Sequence, residues 1–261
     1  MIGISSINGV SLPMDERFAK FKAAGFESVL LWWGRNDEVS CAGRVALAQK
    51  HGLYIENAHA MTDNLNALWL DGDKGEHTLS ELKQEITDCS FYGIGTLVVH
   101  LTNGSKPPSV SNIGISRIEE LIRHAESLKV RLAFENVRNT EHVRFVLNHY
   151  LSSYVGLCYD SGHEHLWSQE TDWLNEYGAR VFAIHLHDNN GDMDSHLVPF
   201  DGEIDWYKRT KQIAESSYTG AITIESEFHA SNRYEKNGLE SYLVNACKNG
   251  KILAEMIRAH V

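Results

Sequence analysis

Short apolar runs alternate with longer amphipathic segments along the whole chain. The apolar runs predict eight β-strands, at Ile2–Ser5, Ser28–Trp33, Leu53–Asn57, Thr96–Leu101, Val130–Glu135, Val155–Tyr159, Val181–His187 and Ala221–Glu225. Most of these runs are continuously apolar, which is typical of parallel strands that are covered on both faces. The pattern therefore predicts a parallel sheet.

The segments between the strands have apolar residues at helical spacing. They predict eight helices, at Met14–Ala24, Arg44–His51, Glu76–Tyr92, Ile115–Leu128, Glu141–Leu147, Glu164–Tyr177, Trp206–Ser216 and Leu239–Ala259. Eight strands in strict alternation with eight helices favour a closed α/β barrel, the (β/α)8 TIM barrel, over an open doubly wound sheet. No linker, repeat or shift in composition divides the sequence, so we expect one barrel domain over residues 1–261.

The composition excludes several classes of protein. The chain has 24 basic and 35 acidic residues, a net charge of −11 with histidine neutral. Since nucleic-acid affinity comes largely from Lys and Arg, a chain this acidic is a poor general nucleic-acid binder. No apolar run approaches the ~20 residues of a membrane span. The N-terminus lacks signal-peptide features, and the four cysteines are widely spaced, so we expect a soluble cytoplasmic protein.

Six consecutive predicted strands, from the third to the eighth, end in or near side chains that can bind a metal ion. These side chains, with two more from the loop after the seventh strand, are His59, His100, Glu135, Asp160, His163, His185, Asp194, His196 and Glu225. The carboxyl ends of barrel strands converge on the barrel axis, so these residues become neighbours. Crowded carboxylates repel one another unless a cation neutralises them. We therefore expect a divalent metal site.

The residue types narrow the choice of metal without deciding it. Four of the candidates, Glu135, Asp160, His185 and Glu225, form an oxygen-rich set that suits Mn²⁺, Mg²⁺ or Co²⁺. The further histidines make the neighbourhood more favourable to Zn²⁺. We therefore expect Mn²⁺ or Zn²⁺, with Mg²⁺ and Co²⁺ as alternatives and with one ion or more.

The same residues resemble a known superfamily, the xylose isomerase-like TIM barrels. It contains sugar isomerases and epimerases together with apurinic-site endonucleases of the endonuclease IV type. The resemblance covers nearly the whole chain and is carried by Phe134-Glu135-Asn136, Asp160-x-x-His163, His185-x-His187-Asp188 and Gly202-x-Ile204-Asp205-Trp206. The last of these stretches is typical of the bacterial sugar phosphate isomerase/epimerase branch.

The resemblance implies roles for the candidate ligands. The single-metal core of the ketose epimerases corresponds to Glu135, Asp160, His185 and Glu225. The additional ligands that endonuclease IV uses correspond to His59, His100, His163, Asp194 and His196. All nine positions hold a suitable residue, so the ligands alone do not separate a sugar enzyme from a nuclease.

The loops at the predicted catalytic face favour the sugar enzyme. They contain Lys106 and Arg138, but eight carboxylates, whereas a nuclease needs several cations there to hold a duplex. This balance indicates a small uncharged polyol as the substrate. The longest of these loops, Asp188–Glu203, carries Asp194 and His196 and is predicted to act as a lid.

We therefore expect a metal-dependent sugar isomerase or epimerase that acts on a ketose, an aldose or a related polyol. Glu135 and Glu225 would be the acid–base pair, acting through an enediolate. His163, Arg138 and Trp32 are the candidate substrate contacts, whereas Trp167, Trp173 and Trp206 are expected to pack in the core. The alternatives are an inosose-type dehydratase, an apurinic-site endonuclease with several zinc ions, and a non-catalytic metal-binding barrel. The resemblance also implies that such barrels often pair.

Overall fold

The structure, a computed structural model, describes residues 1–34 and 39–261 and is built around eight parallel strands. These strands are β1 (Ile2–Ser5), β2 (Ser28–Trp32), β3 (Tyr54–His59), β4 (Thr96–Val99), β5 (Arg131–Glu135), β6 (Val155–Asp160), β7 (Val181–His185) and β8 (Ile222–Ile224). Strands that are neighbours along the chain pair in parallel from β1 to β7, with register shifts between β2 and β3 and between β6 and β7, and β8 pairs with β1. A parallel bridge between Leu186 and Ile224 joins the remaining two edges. The sheet is therefore closed, and the predicted (β/α)8 barrel is confirmed.

Helices cover the outside of the barrel. Within the described residues they are α1 (Met14–Ala24), α2 (Cys41–Lys50), α3 (Asp73–Tyr92), α4 (Asn112–Leu128), α5 (Thr140–His149), α6 (Ser161–Trp167), α7 (Trp173–Tyr177), α8 (Trp206–Glu215), α9 (Asn232–Asn237) and α10 (Leu239–Ala259). Short 3₁₀ turns occupy Leu65–Trp69, Gly178–Arg180 and Phe228–Ala230. In the part of the chain that the structure describes, no helix has the length and apolar content that crossing a membrane requires.

Short polar side chains decide where several helices begin. Ser111 accepts a hydrogen bond from the amide of Gly114 at the start of α4, and Asp205 does the same for Lys208 at the start of α8. Such caps satisfy amides that have no partner within the helix. At the other end of a helix, Gly25 closes α1 with a φ of 99°, a conformation that glycine adopts without strain.

One predicted helix is wrong. The segment Glu164–Tyr177 was expected to be continuous, but α6 ends at Trp167 and α7 begins at Trp173. Asp172 caps α7 by accepting a hydrogen bond from the amide of Asn175, and Ser168 accepts one from the indole of Trp173. These local hydrogen bonds compete with a continuous helix. The helix α9 was not predicted.

A layer of small apolar side chains fills the barrel below its carboxyl end. It consists of Val98, Ala133, Cys158 and Ala183, from β4 to β7. Successive side chains of a strand point to opposite faces of the sheet. The residue two positions after each member of this layer therefore also points into the barrel, one layer closer to its carboxyl end. Those four residues are His100, Glu135, Asp160 and His185. The alternation of side chains along the strands thus places these four polar residues directly above the layer of small apolar residues.

Candidate metal centre

Four side chains from the last four strands meet above this floor. We call Glu135, Asp160, His185 and Glu225 the inner group; each offers one ligand atom, and these atoms all lie within 4.8 Å of one another. His185 Nδ1 is 3.2 Å from Oε2 of Glu135 and 3.2 Å from Oε2 of Glu225. Asn136 pairs with the backbone of Asp160 in both directions, at 2.6 and 2.8 Å, and so ties the ends of β5 and β6 together.

Two further histidines approach Glu135 from the other side. His59 Nε2 lies 3.3 Å and His100 Nε2 lies 3.2 Å from Oε2 of Glu135. The Nδ1 of His59 donates a hydrogen bond of 2.8 Å to the carbonyl of Ala60. Because a carbonyl can only accept, the neutral ring presents the lone pair of Nε2 to the site. Glu135 is therefore shared between the inner group and this histidine pair.

A second cluster lies beside the inner group. We call His163, His187, Asp194 and His196 the outer group; their ligand atoms also lie within 4.8 Å of one another. Asp194 is 3.3 Å from Nε2 of His163 and 3.6 Å from Nε2 of His196. His196 donates from Nδ1 to the carbonyl of Glu225 at 2.7 Å, which leaves its Nε2 for a metal. The structure thus brings all nine predicted ligands to one place.

His187 was missed as a site residue. It is fully buried, its ring stacks on His196 with centroids 3.9 Å apart, and its Nε2 lies 3.1 Å from Oδ1 of Asp160. The residue therefore bridges the inner and outer groups. A signal was present in the sequence, because His185-x-His187 puts both imidazoles on the same side of an extended segment. A methyl group at Gly162 would overlap the His187 ring, so only glycine fits at that position.

The loop that carries Asp194 and His196 is fastened to the barrel by Asp188. The buried carboxylate of Asp188 accepts hydrogen bonds from the amides of residues 189, 200 and 204 and from the indole of Trp206, at 2.8 to 3.0 Å. The backbones of Asp188 and Leu197 also exchange two hydrogen bonds of 2.8 Å. His196 has a φ of 45°, an uncommon conformation for a residue with a side chain. These contacts fasten both ends of the loop to the barrel, and its predicted role as a lid stays a prediction.

The hydrogen-bonding capacity of this site is not used up by the protein. Among the described residues, Oδ2 of Asp160 and Nε2 of His185 are buried without a hydrogen-bond partner. Buried polar atoms are normally paired, and each exception calls for a ligand or a water. Carboxylate oxygens and imidazole nitrogens are the ligands that Mn²⁺ and Zn²⁺ take. The residues present therefore fit a divalent metal.

Without a metal, the centre is a network of ion pairs. Burial raises the pKa of Glu225, but the positive charge of His185 outweighs it and lowers that pKa to about 2. The pKa of Glu135 is likewise well below its usual value, because His100 and His185 overcome the effect of burial. Burial lowers the pKa of His196, but the hydrogen bond to Asp194 raises it to about 9. A metal must displace protons from these rings, so we expect its affinity to rise with pH.

The predicted substrate contacts border two adjoining pockets. Trp32 stacks on His59, with centroids 4.9 Å apart, and lines a pocket of about 260 Å³ over the candidate metal ligands. Arg138 lines the neighbouring pocket, and His163 lines both. Trp173 and Trp206 are buried as predicted, but the expectation for Trp167 is wrong: it is only partly buried and stacks on His163 at 4.8 Å. Its position at the end of α6, next to the strand end, explains the difference.

The fold and the ligand set together match one family. A profile described as xylose isomerase-like TIM barrel matches residues 18–243, a range that includes every candidate ligand. The chain belongs to this family. The resemblance that the sequence motifs indicated is therefore confirmed.

Individual proteins resemble the chain over different lengths and at different identities. The y4fM protein of Sinorhizobium fredii is 43% identical over 82 residues, which is 31% of this chain and 26% of that protein. The crystal structure of a D-tagatose 3-epimerase-like protein has a TM-score of 0.76 at 20% identity and covers 99% of this chain and 97% of its own. The structure of the IolI protein with a bound zinc atom has a TM-score of 0.73 at 17% identity, with 100% and 99% covered. At these identities the two structures show the shared fold.

Proposed function

We propose that the protein is a divalent-metal-dependent sugar isomerase or epimerase. The observation that carries the proposal is the inner group, in which Glu135 and Glu225 approach the same nitrogen of His185 at 3.2 Å from different sides of the barrel. A metal held by this group would polarise a substrate carbonyl as a Lewis acid. The two glutamates are then placed to move protons beside that carbonyl.

Each glutamate has a defined task in this proposal. With its low pKa, Glu225 is ionised at neutral pH and can accept a proton from the carbon next to the carbonyl. Glu135, which is ionised, would first take a proton from a substrate hydroxyl or from water and then deliver it to the resulting enediolate. The carbon and face that receive the proton decide between an epimer and an isomer. His163 and Trp32, which line the same pocket, would hold the hydroxyl groups and the carbon face of the sugar.

The comparisons support this proposal. The D-tagatose 3-epimerase-like protein shares the fold over nearly its whole length, and the IolI structure contains zinc in the same kind of barrel. The first agrees with a barrel that acts on a sugar, and the second agrees with a barrel that binds a divalent metal. The substrate and the metal of this protein are therefore the first things to test.

Solvent deuterium provides the most direct test. The protein, loaded in turn with Mn²⁺, Co²⁺ or Zn²⁺, is incubated in D₂O with ketoses, aldoses and a keto-inositol, and the products are followed by NMR. We expect one deuterium at the carbon beside the carbonyl and a new epimer or isomer, with no reaction after treatment with a chelator. If the keto-inositol instead loses water, the protein is an inosose-type dehydratase. Absence of exchange and of product with every sugar and metal would contradict the proposal.

A second candidate function follows from the outer group and the histidine pair. Five of these six residues were predicted as ligands: His59, His100, His163, Asp194 and His196. Their imidazoles exceed what a single-metal sugar enzyme requires, and the resemblance implies that an apurinic-site endonuclease with several zinc ions would use these five positions. The matching test uses zinc-loaded protein and a fluorescent duplex that contains one abasic site. Cleavage at that site, without deuterium exchange in any sugar, would favour the nuclease.

A further inference from the structure

We propose that the pocket beside the candidate metal centre binds a negatively charged terminal group of the substrate, a carboxylate or a phosphate, against Arg138. We call this cavity of about 250 Å³ the side pocket. His100, His163 and Asp194 line both the side pocket and the pocket over the inner group. A chain-like substrate with its carbonyl at the inner group can therefore extend into the side pocket. The inference rests on the proposed function and specifies its substrate class.

Arg138 is the cation of the side pocket. Its guanidinium lies 6.0 Å from the ring centre of Trp167, which forms another part of the wall. Among the described residues, no carboxylate forms an ion pair with Arg138. Arg209 shows the contrasting case, because the protein pairs its guanidinium with Glu164 at 2.9 Å. The planar guanidinium is suited to bind carboxylate or phosphate through two parallel hydrogen bonds. An arginine that the protein leaves unpaired at a substrate pocket is therefore available to a ligand.

Thr102 provides an independent reason to expect a polar ligand. It is only 3% exposed and lines the side pocket, yet its hydroxyl has no hydrogen-bond partner in the described structure. Leaving a buried hydroxyl unpaired is unfavourable, and an oxygen of a bound anion would accept its hydrogen bond.

The start of α5 adds to the positive potential of the side pocket. Asn139 lines the pocket and precedes this ten-residue helix, but its side chain does not cap the helix. The amides of the first turn therefore keep donor capacity, and the helix dipole favours an anion at this end. Arg138, Thr102 and the start of α5 thus offer charge and donors from three different segments.

The acidic loops do not oppose an anion at this position. Of the eight loop carboxylates counted in the sequence, Asp188 is buried under its hydrogen bonds, and Asp194 faces His163 and His196. Asp201 pairs with Arg233 at 3.0 Å. The charge balance of the sequence indicated an uncharged polyol because it counted these groups as free. Of the charged side chains that line the side pocket, Asp194 is thus offset by the neighbouring histidines, whereas Arg138 has no carboxylate partner among the described residues.

The test compares matched ligands that differ in one terminal group. Binding of D-fructose, D-fructose 6-phosphate and D-fructuronate to the metal-loaded protein is measured by calorimetry, for the wild type, Arg138→Gln, Arg138→Lys and Thr102→Val. We expect at least one charged ligand to bind about tenfold or more tightly than D-fructose. The preference should disappear in Arg138→Gln, survive in part in Arg138→Lys and fall by a smaller factor in Thr102→Val. Arg258→Gln, an exposed arginine on α10, is the matched control and should keep the full preference.

The outcomes separate the two possible anions and the two proposals. A preference for the phosphate alone or for the carboxylate alone identifies the terminal group, and a preference for both indicates recognition of charge. Equal affinity for all three ligands, or a preference that survives in Arg138→Gln, overturns the inference. Deuterium exchange into neutral sugars without a charge preference would refute the side pocket alone. A charge preference that depends on Arg138 without any exchange would refute the sugar reaction alone.

Discussion

The inner and outer groups differ in what holds them in place. Glu135, Asp160 and His185 end strands of a closed sheet, so the hydrogen bonds of the barrel fix their positions. Asp194 and His196 lie in a loop whose arrangement depends on Asp188 and on a residue with positive φ. Sites on strands are held more rigidly than sites on loops. We therefore expect the inner group to survive changes that abolish metal binding by the outer group.

The largest expected effect comes from the two glutamates of the inner group. Glu135→Gln and Glu225→Gln remove the acid–base groups while keeping their size, so each should lower turnover by about 10³-fold or more. Glu135 contacts the histidine pair and the outer His163 as well, so its replacement should also release more metal than the replacement of Glu225. Steady-state rates and metal content by mass spectrometry measure the two effects. His260→Ala, directly after the end of α10, is the control and should change neither turnover nor metal content. Equal metal loss in both glutamate variants would contradict the shared role of Glu135.

A substitution at Asp188 tests whether the outer group depends on the arrangement of its loop. Asp188→Asn removes the charge and one of the two acceptor oxygens that bind the loop. The affinity of the outer group for metal should therefore fall by about 10- to 100-fold, with the inner group still loaded. The double variant Asp194→Ala/His196→Ala provides the reference for complete loss of the outer metal. Metal titration and hydrogen exchange over residues 189–203 are the measurements. Asp192→Asn, an exposed carboxylate in the same loop, is the control; if it weakens binding equally, Asp188 has no special role.

Strand periodicity explains why most of the fold and the inner group could be predicted. Continuous apolar runs marked all eight strands, and the polar residue after each run marked the strand ends that converge on the axis. The break between α6 and α7 escaped prediction, because Ser168 and Asp172 override a helical pattern through local hydrogen bonds. His187 could have been found from its two-residue spacing to His185. The wall position of Trp167 escaped prediction because it depends on how α6 packs over the site. Such packing has no period in the sequence.

Gly162 tests this packing directly, with a smaller effect. Gly162→Ala places a methyl group against the buried His187 ring, and we expect a loss of about 1–3 kcal/mol in the free energy of unfolding. Denaturant titration of the metal-free protein measures it. Gly95→Ala is the matched control, because nothing lies within 4 Å of the added methyl group. If both variants lose the same stability, the space beside His187 is not what requires glycine.

The smallest expected effect is the pH dependence of the outer group in the metal-free protein. The pKa of His196 is about 9 in the folded chain, against about 6.5 in an unfolded one. The folded state therefore binds this proton more tightly, and the resulting stabilisation is complete below about pH 6.5 and lost as the pH rises through about 9. Since His196 and Asp194 are both partly exposed, we expect about 1 kcal/mol. Urea titrations at about pH 6 and about pH 9.5 should show a larger difference in the wild type than in His196→Gln, because His163 and His185, whose pKa values are also raised, still titrate in the variant. An equal loss in both proteins would assign the pH dependence to those two histidines instead of His196.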